Sequence, residues 1–100
     1  MRLEEATLAT FEPHLATDFR LDPGSGPPIE VRLTEVRALG LQPGAPRIEP
    51  FVLVFSGPAT PVLAQATYAL AHDELGPMDL FLVPIGHDVE GNVQYEAVFN

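Results

Sequence analysis

Proline and glycine set the limits on what this chain can fold into. Eleven prolines and eight glycines are spread over 100 residues, and they fall between the apolar segments rather than inside them. Asp22-Pro-Gly-Ser-Gly-Pro-Pro28, Gln42-Pro-Gly-Ala-Pro46, Gly57-Pro-Ala-Thr-Pro61 and Gly76-Pro77 each spell a turn or loop. The segments between them are short and rich in β-branched and aromatic residues, at intervals that suit an all-β sandwich or barrel. None of the intervals holds the dozen or more residues that a parallel crossover requires.

The periodicity assigns faces. Asp18-Phe-Arg-Leu-Asp22 alternates, with Phe19 and Leu21 inward. Ile29-Glu-Val-Arg-Leu-Thr34 places Ile29, Val31 and Leu33 inward, after which Val36 and Ala38 fall on the opposite parity. A β-bulge or bend near Thr34-Glu35 accounts for that slip. Phe51-Val-Leu-Val-Phe55 is apolar on both parities and reads as a central strand covered on both sides. Gln65 to His72 puts Tyr68, Leu70 and His72 on one face, with Gln65 expected to be buried and hydrogen-bonded at the strand's start. Met78 to Ile85 is again apolar on both parities, and its Pro84 suggests a strand end or a sheet edge. Asn92 to Asn100 alternates with Val93, Tyr95, Ala97 and Phe99 together, after a Glu90-Gly-Asn92 turn.

One helix breaks the pattern. Thr7-Leu-Ala-Thr-Phe11 can begin with Thr7 as N-cap, aligning Leu8 and Phe11, with Leu15 following. Pro13 confines it to a turn or two that plug one end of the core. The expected fold is all-β: a small antiparallel β-barrel or curled sandwich of about six strands with a short N-terminal helix, forming one domain over residues 1–100.

Composition narrows function by exclusion. Five basic residues, all arginine, face fourteen acidic ones, a net charge of −9. No lysine means no Schiff base and no phosphate-loop lysine. No cysteine means no thiol nucleophile, disulfide or zinc knuckle. The acidity argues against nucleic acid and against anionic membranes as partners. No leader-like or spanning apolar run occurs, so a cytoplasmic protein is expected.

Phe51-Val-Leu-Val-Phe-Ser-Gly-Pro58, Leu63-Ala-Gln65, Thr67-Tyr-Ala-Leu-Ala-His72, Leu75-Gly76, Leu80-Phe-Leu-Val-Pro84 and Tyr95-Glu-Ala-Val-Phe-Asn100 occur in that order. Together with Thr7-Leu-Ala-Thr-Phe11 and Phe19, the chain resembles a family of small uncharacterised bacterial all-β proteins, a domain of unknown function of about this length. The resemblance brings no activity or catalytic residues. It implies an association with phage-tail-like assemblies. The pattern carries glycine where this chain has Ala66.

Few residues offer chemistry. His72-Asp73-Glu74 holds ligand types suited to a divalent metal, with His72 and Asp73 the candidates. Successive strand residues point to opposite faces, so a strand end with a turn is the simpler reading. Asp88, Glu90 and Asn92 echo a calcium loop, but the glycine is misplaced and the distal Glu missing. Ser56 lacks the glycine of a nucleophile elbow, since Val54 stands two residues before it. Gly24-Ser-Gly26 runs into Pro27-Pro28, so no helix N-terminus follows to cradle a phosphate. Tyr68, His72 and Tyr95 are the candidates for an interaction surface or a barrel rim.

Three functions compete. The first is a non-catalytic interaction or structural module that self-associates or docks onto a larger assembly, with Met78–Ile85 the place to seek an exposed apolar patch. The second is a small-molecule or carbohydrate binder with a pocket at the barrel mouth. The third is a metal-dependent enzyme at His72 and Asp73. No cofactor and no catalytic constellation is expected.

Overall fold

The alternation in the sequence becomes six antiparallel strands that close on themselves. The computed structural model describes residues 1–40, 44 and 49–100. The strands are β1 (Asp18–Asp22), β2 (Ile29–Ala38), β3 (Phe51–Gly57), β4 (Ala66–His72), β5 (Gly76–His87) and β6 (Val93–Phe99). They form a closed barrel in the order β1-β2-β3-β6-β5-β4. Closure comes from β1 against β4, where Arg20, Leu21 and Asp22 pair with Ala71, Leu70 and Ala69. The barrel therefore has no sheet edge to protect. Among the described residues, no helix is long and apolar enough to cross a membrane.

The inner faces match the alternation. Phe19, Leu21, Val31, Leu33, Phe51, Leu53, Phe55, Leu70, Leu80, Leu82, Val93, Tyr95 and Ala97 form one buried cluster. Helix α1 (Leu8–Phe11) sits at one end. Its Thr7 amide donates to Thr10 Oγ1 at 3.0 Å, which steadies the first turn. Phe11 packs against Phe51 and Phe99 at centroid separations of 6.0 and 5.6 Å, while Phe51 and Phe99 stack at 4.5 Å. The helix is the plug expected of it.

The predicted bulge is present. Leu33 pairs with Phe55 and Glu35 with Val54, so Thr34 is the extra residue. Thr34 Oγ1 donates to the Val54 carbonyl at 3.2 Å, and Val36 regains the inner face opposite Leu53. Strand β3 is buried on both sides, with Val52 and Val54 on the outer wall yet only 1% and 4% exposed.

Several expectations need correction. Leu15 is exposed rather than inward, because Pro13 tightens the chain into a 3-10 turn (Glu12–His14) that leaves the helical face. Gln65 is exposed, since β4 begins one residue later at Ala66. Pro84 marks neither a strand end nor an edge: it pairs with Tyr95 inside β5, beside a second register shift at Ile85. The Gln42–Pro46 turn lies outside the described residues, apart from Gly44. Ala66, where the resembled pattern has glycine, is an ordinary strand residue opposite Leu82 and needs no positive φ.

Candidate functional site

His72 ends β4 with its ring turned into the barrel, 6% exposed. The β4–β5 turn places two backbone donors on it: Nδ1 accepts from the Glu74 and Leu75 amides at 3.0 and 3.3 Å. An Nδ1 facing two donors is unprotonated, so Nε2 carries the hydrogen. That hydrogen is donated to Thr17 Oγ1 at 2.9 Å, and the threonine in turn donates to the His14 carbonyl at 2.6 Å. The ring also meets Phe19 at 4.5 Å and the ring of His14 at 4.7 Å. Burial, then the neighbouring His14, hold its pKa below the usual 6.5, against an opposing pull from Glu74 and Asp73. Both ring nitrogens are thus occupied by the protein itself.

Asp73 does not join His72. Its carboxylate lies 2.9 Å from Arg20 Nη1 on β1 and points into solvent. Glu74 reaches 3.6 Å from His14 Nδ1. Among the described residues, no group of three or more His, Cys, Asp or Glu side chains is arranged to hold a metal ion. The cluster is a strand-end latch: imidazole nitrogen caps the turn that Gly76, at φ +79°, completes.

The two tyrosines serve loops. Tyr95 is buried, and its hydroxyl accepts the Leu63 amide at 2.9 Å, pinning the loop between β3 and β4. Its ring lies where a side chain at Gly57 would stand, since a Cβ there would come within 3.3 Å of it. Tyr68 is half-buried and donates to the Ala64 carbonyl. Tyr68 and Tyr95 thus hold successive residues of one loop, Ala64 and Leu63, while His72 is bonded to Thr17 and to the β4–β5 turn.

The β5–β6 turn is also self-contained. Asp88 Oδ1 accepts from the Glu90 and Asn92 amides at 2.9 and 3.0 Å. Slight desolvation works against these bonds, yet they prevail and hold the carboxyl below its ordinary value. The oxygens that a calcium ion would want are engaged by the turn that displays them.

The concavities lie outside the barrel. One open groove of about 750 Å³ runs over the outer wall of β2 and β3, lined by Arg32, Thr34, Ser56, Pro61, Asp88 and Asn92 among others. It contains no aromatic side chain. Arg32 within it is bonded to Asp18 at 3.2 Å.

The outer face of β5 and β6 is different in kind. Phe81 and Val98 are 53% and 49% exposed. The β5–β6 pairing runs as far as Val83 opposite Glu96, and beyond it Phe81 and Val98 line one cleft of about 230 Å³ between the two strands. Thr67 on β4 pairs with Phe81, and Val52 on β3 pairs with Val98, completing a row across four strands. Ile85, 47% exposed, stands at the bulge further along β5. The sequence pointed to Met78–Ile85 for such a patch but not to Val98. That residue alternates against a core face, and only the way β5 and β6 meet shows that it shares a cleft with Phe81.

A family model described as "Domain of unknown function (DUF6916)" matches residues 6–99. No curated protein and no solved structure matches the chain.

Proposed function

The chain belongs to the DUF6916 domain family, and we infer that it is a non-catalytic β-barrel module that works in the cytoplasm by docking onto protein, within a larger assembly. The observation that carries this reading is the exposed apolar pair of Phe81 and Val98 on the outer wall. Half-exposed large apolar side chains in adjacent positions cost solubility and add little to the core, so their place on the surface asks for a use. The remaining polar groups support the reading by their partners. His72, Tyr68, Tyr95 and Asp88 are each bonded to the chain's own backbone or side chains, and a nucleophile or ligand in that condition has first to break a native bond. A net charge of −9 steers the module away from nucleic acid and anionic lipid.

The small-molecule or carbohydrate reading is less well supported. Phe11, Phe51, Phe55 and Phe99 fill the interior that a mouth pocket would need, and the outer groove lacks the aromatic platform expected of a sugar site.

Sedimentation velocity at micromolar concentration, paired with a pull-down using Phe81→Ser as control, tests the proposal. The parent is expected to self-associate or to retain a stoichiometric partner, and the variant to do neither. A strictly monomeric parent with no Phe81-dependent partner contradicts it.

A further inference from the structure

The apolar row of Phe81 and Val98 has an acid on each of its two strands, and at the Asp79 end the Met1 ammonium, 3.1 Å from the Pro77 carbonyl, and Arg2 line the same concavity as Asp79. Along β5, Asp79 stands two residues before Phe81; along β6, Glu96 stands two residues before Val98 and opposite Val83. Residues two apart on a strand share a face about 7 Å apart. The antiparallel register therefore sets Asp79 one row to one side of the apolar centre and Glu96 one row to the other, about 14 Å from carboxylate to carboxylate along the strands. Neither acid has an ion pair among the described residues. The described arginines pair with other acids: Arg2, beside Asp79, with Glu4 and Glu5, Arg20 with Asp73, Arg32 with Asp18 and Arg37 with Glu35.

This arrangement selects between occupants. A second copy of the chain would bring its own Asp79 and Glu96 against the same pair, and each copy already carries −9. Like charges at the rim of an interface cost affinity, whereas opposite charges there steer encounter and fix orientation. We propose that the Phe81/Val98 face docks a protein segment whose apolar centre is flanked by lysines or arginines, not a second copy of this chain. The inference rests on the reading of the chain as an interaction module and adds the chemistry of its partner.

Two synthetic helical peptides test it: both carry the same Leu/Trp face, one flanked by Lys residues about 14 Å apart, the other by Glu at those positions, with binding followed by fluorescence anisotropy. The Lys-flanked peptide is expected to bind and the Glu-flanked peptide not. Phe81→Ser should weaken binding at least about tenfold, as loss of a central aromatic anchor does. Asp79→Asn/Glu96→Gln should weaken it several-fold and flatten its dependence on salt, because the lost contribution is a screened one. Equal binding of both peptides, or full binding by Asp79→Asn/Glu96→Gln, overturns the charge inference and leaves the interaction reading standing. Sedimentation of the parent as a dimer that Phe81→Ser dissolves overturns it in favour of self-association. A monomer that binds neither peptide overturns both.

Discussion

At the scale of single residues, the side chains that look most chemical are the ones most fully absorbed into structure. His72 illustrates why composition misleads: an imidazole beside two carboxylates has the right donors for a metal, but the backbone of its own turn reached Nδ1 first. The consequence is a pH dependence whose sign follows from the direction of the shift. The folded pKa lies below the ordinary 6.5, chiefly through burial and then through His14. As pH falls through that ordinary value the unfolded chain takes up a proton before the folded one does, so the contribution to stability is complete above about 6.5 and lost below it. Urea unfolding should therefore show His72→Gln less stable than the parent at pH 8, with the gap narrowing toward pH 5. Parallel stability curves for the two proteins would show that the ring is not held neutral. The sequence placed His72 on the inner face with Tyr68 and Leu70, and even its strand-end position, but could not show Thr17 and the Glu74 amide meeting its two nitrogens. Those contacts join residues 55 and 2 apart in the chain.

At the scale of elements, parity was legible and pairing was not. The phase slip after Leu33 marks the bulge because side-chain direction has a period of two, so one extra residue must exchange the faces. Structure turns that inference into a testable asymmetry. Val36 faces inward opposite Leu53, and Glu35 outward opposite Val54. Val36→Ser should cost about 1–2 kcal/mol of stability through lost apolar burial, while Glu35→Ser stays within about 0.5 kcal/mol. Equal costs would place the bulge elsewhere. Pro84 was misread for a physical reason. Proline lacks the ladder donor and so signals an edge in an open sheet, but in a closed barrel the same deficit is accommodated at the irregularity between Pro84 and Gly86. Leu15 was misread because the helical period was carried past Pro13, where the chain tightens into a 3-10 turn.

At the scale of the whole molecule, closure decides where function can be. Barrel diameter grows with strand number and an interior of about eight strands is already filled by side chains, so six leave less room, and the phenylalanines of β1, β3, β6 and α1 fill it. What remains is the outer wall, and the wall is not uniform: a polar groove crosses β2 and β3, and an apolar row framed by Asp79 and Glu96 crosses β5 and β6. The sequence held every residue of that row, but strand order β3-β6-β5-β4 is what makes neighbours of residues from four separate segments. The excess of acid takes on a second meaning in this light. It keeps a barrel with an exposed apolar face in solution, and at Asp79 and Glu96 it selects the charge of whatever covers that face.

Site-specific photo-crosslinking tests the central claim most directly. A photoreactive phenylalanine analogue would replace Phe81 on the apolar row in one protein and Glu30 on the opposite polar groove in another, each irradiated in the cells that make the chain. The structure predicts a discrete protein adduct from position 81 and none from position 30. Adducts from position 30 alone, or from neither, would contradict the assignment of the β5–β6 wall as the surface through which this protein acts.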